Sequence, residues 1–157
     1  MELLLAADDD LAALAACEAP RLALRLPPNG LDAREVLEIV RASTARMFEN
    51  GVRGTWMMTH DGEVVGLCGF KDVPSRDGTV EIGYGVAPDR RGRGLATAAI
   101  GALIGLTKAA GLRTMTAETD VANTPSERVL EKNGFTLTRQ RKTVEGTFHD
   151  WTLSLRA

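Results

Sequence analysis

The stretch Ala87 to Ala110, APDRRGRGLATAAIGALIGLTKAA, is the one around which the rest of the chain is organised. A proline and an acidic residue open it, Arg91-Gly92-Arg93-Gly94 makes a glycine-rich turn, and from Leu95 the sequence becomes a long apolar helix. A turn of this kind feeds the first turn of a helix, where several backbone N–H groups lack intrahelical partners and point the same way. The partial positive charge of the helix start adds to them. Together they form a receptor for a phosphate or diphosphate. Glycine serves twice here, because it permits strained dihedrals and because the bare backbone can touch a ligand. The apolar run meets Lys108 too early for a membrane span, so it reads as a buried core helix. Gly101 and Gly105, one turn apart, are placed to let that helix lie close to a sheet.

Working outward, the period of the sequence is that of strands before the turn and of helices and strands after it. Thr55 to Thr59 and Glu63 to Phe70 flank His60-Asp61-Gly62, a strong hairpin signal. A second turn cluster, Pro74 to Gly78, leads into Thr79 to Val86, giving three consecutive antiparallel strands. Gly111 caps the apolar helix, and Arg113 to Thr119 follows as a strand parallel to the one before the helix. Thr124-Pro125-Ser126-Glu127 carries a capping box and an early proline, so a helix starts there and ends at Asn133-Gly134. Phe135 to Arg141 and Thr147 to Leu155 close the chain as a hairpin through Glu145-Gly146. Near the other end, residues 2–6 read as a strand, and Asp8 to Asp10 cap a helix beginning near Leu11. Residues 19–30 read as an irregular connection in which Leu22, Leu24 and Leu26 alternate. Asp32 to about Phe48 is an amphipathic helix with Val36, Leu37, Val40, Met47 and Phe48 on one face, stopped by Asn50-Gly51.

Composition narrows the function. A chain of 157 residues fits one domain, 1–157, with a proper core. Aromatics at 4% argue against a stacking surface for single-stranded nucleic acid, and a net charge of −2 argues against a broad polyanion-binding face. Cys17 and Cys68 are too few for a disulfide framework, Cys68 reads as a buried thiol, and no ligand-spaced His or Cys cluster suggests a metal. The N-terminus lacks a basic leader and its apolar run is cut short by Asp8 to Asp10, so a cytoplasmic protein without membrane attachment is expected.

The glycine-rich turn does not match the common nucleotide loops. No Lys-Ser or Lys-Thr follows it, and Thr97 stands where G-x-G-x-x-G needs its last glycine. Arg91, Gly94 and Ala96 do fall at the three fixed places of R/Q-x-x-G-x-G/A, and the segment resembles that signature of the GNAT N-acetyltransferase superfamily. Glu81-Ile82-Gly83-Tyr84-Gly85-Val86 resembles the family's fourth strand. Asn123 to Ser126, running on to Leu130-Glu131-Lys132-Asn133-Gly134-Phe135, resembles its later cofactor-contacting helix. Three blocks in the right order cover about the last half of the chain. The variant is most similar to the ribosomal-protein-alanine acetyltransferase branch.

The resemblance implies an α+β fold, with a central mixed, mostly antiparallel sheet and helices on both faces. It implies acetyl-CoA as cosubstrate, a primary amine as acceptor (a small molecule or a protein N-terminus), and a homodimer. Val86, Arg91, Gly92, Arg93, Gly94, Ala96, Thr97, Asn123 and Ser126 are the cofactor-binding positions it points to. It also implies a bulge in the fourth strand, whose backbone pairs with the pantetheine arm and polarises the thioester carbonyl.

Strand alternation puts Val80, Ile82, Tyr84 and Val86 on one face and Glu81, Gly83 and Gly85 on the other. A carboxylate beside two glycines has an unfilled space next to it. Given the resemblance, Glu81 is the candidate general base for the amine, and N–H groups near Val86 stabilise the oxyanion. The plainer alternative makes Glu81 a half-exposed strand carboxylate paired with a base. Leu130 stands where many family members carry a Tyr acid. That leaves Ser126 as the candidate donor to the thiolate, or the thiolate leaving unaided. It is also the one support for a rival reading, an acyl-CoA-binding sensor without turnover. Asn123 is either a pantetheine contact or a turn residue before the helix. Among the loop cations, Arg91 and Arg93 suit phosphates better than Arg90. Tyr84 reads as a core residue, and His60 and His149 as satisfied or exposed histidines.

Overall fold

In the computed structural model, which describes residues 1–21 and 23–156, the elements follow the sequence pattern closely. They are β1 (Glu2–Leu5), α1 (Asp8–Ala15), α2 (Arg34–Glu49), β2 (Thr55–His60), β3 (Glu63–Phe70), β4 (Thr79–Val86), α3 (Leu95–Ala109), β5 (Thr114–Asp120), α4 (Thr124–Lys132), β6 (Thr136–Thr143) and β7 (Gly146–Ser154). One seven-stranded sheet runs in the order β1-β2-β3-β4-β5-β7-β6. Its pairings are antiparallel except β4 with β5, which α3 connects as a crossover.

Alternating side chains divide the core between the two faces. Met57 and Leu67 pack with Leu11, Leu14 and Leu37 under α1 and α2. Their strand neighbours Met58 and Cys68 join Ile82, Leu103 and Leu130 under α3 and α4. Period two in the strands is therefore enough to build helices on both faces.

Several local expectations are corrected. Asp8 to Asp10 form the first turn of α1 itself, and Asp10 reaches back to accept the Ala7 N–H at 2.8 Å. Acids favour that turn because of the helix dipole as much as the end cap. Asn123, not Thr124, caps α4, its Oδ1 accepting the Ser126 N–H at 3.3 Å. The capping-box partner Glu127 instead accepts from Thr119 Oγ1 and pairs with His149, which explains that histidine as a satisfied one. Gly101 faces the Asn133 side chain and Gly105 faces open space, so neither brings α3 onto the sheet. On α2, Leu37 and Met47 are buried but Val36 and Phe48 are exposed. The last hairpin turns at Val144-Glu145. Residues 19–21 and 23–30 are irregular as expected, tied down where Arg25 bonds through its backbone to Gly62 and Val64. Leu22 lies outside the described residues.

Asp10 is buried, and Arg21 binds it through Nε at 3.0 Å and Nη2 at 2.7 Å while also reaching the Leu5 carbonyl. Hydrogen bonding from Arg21 holds this carboxyl below its ordinary value. A lowered folded pKa gives stability that is complete above the unfolded value of ~3.9 and is lost as pH falls through the folded one. Asp10→Asn is therefore expected to cost about 1–3 kcal/mol at neutral pH. Its melting curve should converge with the parent's in acid, and a constant difference down to about pH 2 would contradict this assignment.

Candidate active site

The site is built where the sheet comes apart. β4 pairs with β5 only at Thr79, Val80 and Glu81, opposite Thr114, Met115 and Thr116. Beyond that point β4 stays on β3 as far as Val86, while β5 stays on β7 as far as Asp120. Two strand edges thus face each other across a slot in mid-sheet. The bonds Lys71 N–H to Glu81 O and Ala87 N–H to Val65 O fix the odd-numbered β4 residues as those that pair with β3. By alternation, the N–H and C=O groups of Tyr84 and Val86 point into the slot. Backbone groups of this kind ordinarily find partners. Val86 O has one, accepting from Arg91 Nε at 3.2 Å.

The expected bulge is absent: the β3–β4 register runs unbroken from Phe70↔Ile82 to Gly66↔Val86. The irregularities fall at Met58/Thr59 in β2 and at Leu137/Arg139 in β6. An unbulged β4 keeps its alternation, so Glu81, Gly83 and Gly85 share the α2 face. Tyr84 stays on the other face, half-buried, where it donates to the Ser126 carbonyl at 2.9 Å and accepts from Ser126 Oγ at 2.8 Å. Burial pushes its phenol up, against the Ser126 hydrogen bond. This pair ties β4 to the helix that follows β5, across the open part of the sheet.

At the Val86 end of the slot, a short 3₁₀ turn, Pro88–Arg90, leads into the glycine loop. Gly92 and Gly94 both take φ +74°, and Gly94 is the N-cap residue of α3. The first bond of the new helix is Ala98 N–H to Gly94 O. Gly94 has no side chain with which to cap, so the N–H groups of Leu95, Ala96 and Thr97 stand free of intrahelical partners. Arg91 and Arg93 are exposed beside them. Arg90 is spoken for: it binds Glu63 through Nε at 2.6 Å and Nη2 at 3.0 Å, and holds that carboxyl below its usual range.

At the other end stands Glu81, the last β4 residue paired with β5. It is half-exposed and accepts from Lys71 Nζ at 3.1 Å. Beside it, between α2 and the glycines of β4, lies a cavity of about 400 Å³. Gly83, Gly85 and Leu67 line one side, Val36, Ile39 and Val40 of α2 the other, and Arg46 and Lys71 are at its edge. A Cβ on Gly85 would meet nothing within 4 Å, and one on Gly83 would meet only the Lys71 stem. Cys68 is buried, and burial pushes its thiol up to about 12, so it is no nucleophile at neutral pH. Among the described residues, no group of three His, Cys, Asp or Glu is placed to hold a metal ion, and no helix is long and apolar enough to cross a membrane.

Sequence reading found the loop, Glu81 and the β4 glycines. It missed Lys71, the Tyr84–Ser126 pair and the cavity. Lys71 meets Glu81 only through the β3–β4 register, and the exposed Val36 and Ile39 were the one trace of the cavity.

The family model described as acetyltransferase (GNAT) domain matches residues 1–136. The chain belongs to the GNAT acetyltransferase family. A curated relative, the uncharacterized N-acetyltransferase p20 of Bacillus licheniformis, is 30% identical over 105 residues, covering 66% of this chain and 57% of that protein. The chain thus spans little more than half the length of that relative. Among solved structures, YncA of Salmonella typhimurium, a putative acetyltransferase with its cofactor acetyl-CoA, superposes with a TM-score of 0.68 at 22% identity, over 99% of this chain and 94% of its own. RimL, the ribosomal L7/L12 alpha-N-protein acetyltransferase in complex with coenzyme A, gives 0.75 at 19% identity, over 97% and 92%. Both likenesses are of fold. The GNAT sheet of this chain, mixed and mostly antiparallel with helices on both faces, is the one its sequence led us to expect.

Proposed function

We propose that this GNAT protein moves the acetyl group of acetyl-CoA directly to a primary amine, with Glu81 as the general base. The observation that carries the proposal is the slot between β4 and β5, open from the helix start at Gly94 to the carboxylate of Glu81. An extended arm with amide groups suits the slot, because it supplies partners to the inward-facing backbone of Tyr84 and Val86. A diphosphate suits the N–H groups of Leu95 to Thr97, with Gly92 and Gly94 giving close approach and Arg91 and Arg93 adding charge. Asn123 and Ser126, at the start of α4, are the further residues we assign to the arm, supported by the tie between Ser126 and Tyr84 of β4.

The thioester supplies an activated carbonyl. Glu81 takes the proton that the amine loses as it attacks, and the slot-facing N–H of Tyr84, the one nearer Glu81, donates to the oxygen that becomes negative. The sulfur leaves as thiolate, with Ser126 and its partner Tyr84 as the nearest hydroxyl pair. Leu130 is fully buried in the α3 and α4 core, so packing accounts for a leucine there without invoking a sensor that has lost turnover.

Melting the protein with acetyl-CoA, CoA, NAD and ATP tests the first half of the proposal. A ligand at a hundred times its Kd adds about 2.7 kcal/mol, or about 5–10 °C for a chain of this size. Stabilisation by NAD or ATP but not by CoA would remove the assignment. Thiol release over an amine panel tests the second half.

A further inference from the structure

The ion pair at the mouth of the cavity restricts what the acceptor can be. A protonated amine approaching Glu81 meets the ammonium of Lys71, 3.1 Å from the same carboxylate. Lys71 is 50% exposed and Glu81 45%, so the pair is loose enough to be parted by a ligand. Parting it leaves Lys71 without its partner and two positive charges side by side. An acceptor that brings its own carboxylate next to its amine removes both penalties. Its ammonium takes Glu81, its carboxylate takes Lys71, and one ion pair becomes two with no local change in net charge.

The surroundings agree with such a ligand. The cavity next to Lys71 is walled by Val36, Ile39, Val40 and Leu67 and floored by glycine, which suits one apolar side chain. Arg46 puts a second positive charge at its edge and forms no ion pair among the described residues. A polycationic acceptor would meet both cations at this edge, with Asp32 the one acid among the residues that line the cavity. On the same sheet face, in the pocket that Glu81 shares with Thr116 and Thr152, Arg139 and Arg141 are already engaged by Asp150, and Arg141 also by Glu118. Among the described residues, Lys71 is the cation whose only ion-pair partner is the group that the substrate amine takes over.

We propose that the acceptor is a free amino acid with an apolar side chain, bound by Glu81 through its ammonium and by Lys71 through its carboxylate. This rests on the acetyl-transfer reading above. In the reaction the α-nitrogen forms a bond to the acetyl carbon as the carbon–sulfur bond breaks. The bound ammonium gives one proton to Glu81, which passes it to solvent, and the attacking nitrogen loses a second as the amide forms; the electron pair leaves with the sulfur, which takes up that second proton and ends as free thiol. The product amide carries no positive charge and cannot hold Glu81 as the ammonium did, so Lys71 regains its partner as product departs.

The test compares leucine, methionine and phenylalanine with their amides, with dipeptides that begin with the same residues, and with spermidine, each followed by thiol release from acetyl-CoA. The free acids should have kcat/KM about tenfold above the amides and dipeptides, the size of one charge-assisted contact, with spermidine lowest. Lys71→Met should lower kcat/KM for the acids about tenfold more than for the amides and dipeptides, chiefly through KM. Lys71→Arg should restore the preference, which a merely structural lysine would not require. Equal or better use of amides, dipeptides or spermidine would overturn the inference, as would a Lys71→Met loss shared by all substrates. So would a protein that acetyl-CoA stabilises but that turns over none of the panel. If acetyl-CoA fails to stabilise the protein at all, it is the acetyl-transfer reading that has failed.

Discussion

Glu81→Gln is expected to lower kcat by about 10²–10⁴-fold, the usual contribution of a positioned acid or base, while acetyl-CoA still raises the melting point as in the parent. The amide has the shape of the carboxylate and can still hydrogen-bond, so what disappears is the ability to accept a proton. The fold should tolerate the change. Glu81 and Lys71 are each about half exposed, and pairs of that kind contribute about 0–1 kcal/mol. Single-turnover measurements with saturating acetyl-CoA separate the acetyl-transfer step from product release. A variant with parental single-turnover rates would show that the amine loses its proton elsewhere, and Glu81 would be the paired strand carboxylate that the sequence also allowed.

Gly94→Asp should act at the other end of the slot and in the opposite sense, on binding and not on turnover. A Cβ at Gly94 meets nothing within 4 Å, so the side chain fits. The residue lies at φ +74°, where a side chain costs about 1–2 kcal/mol, less for aspartate than for most. Aspartate at a helix start would, however, offer its carboxylate to the N–H groups of Leu95 to Thr97, satisfying them and putting negative charge where a diphosphate would lie. Two like charges about 4 Å apart repel by about 1–4 kcal/mol in water or near a protein surface. Affinity for CoA should fall on the order of 100-fold, with the folded state little changed. Calorimetric titration with CoA reads this directly, and an unaltered Kd would move the diphosphate away from the start of α3.

How far the sequence carries depends on the range of the forces involved. The element order, the parallel β4–β5 step and the glycine loop were legible because each rests on signals a few residues long. Period two marks strands, an apolar run marks α3, and Gly92 and Gly94 mark left-handed backbone. Cap details were less legible: Asn123 and Thr124 are both good capping residues, and the choice fell to Asn123 because Glu127 is held by Thr119 of β5 and His149 of β7. The α2 face was misjudged for a related reason. An apolar stripe predicts burial against something, and here part of it, Val36 with Val40, borders a cavity.

By itself, then, the chain determined that a glycine-rich turn with left-handed backbone opens the central helix and that one strand carries an acid beside two glycines, since backbone conformation and side-chain alternation are local properties. Only the tertiary structure decided that β4 and β5 part just after Glu81, that Lys71 holds that carboxylate and that Tyr84 is tied to Ser126. Those facts depend on register and on the divergence of strands distant in sequence, and pairing between such segments is set by how the whole sheet twists and packs.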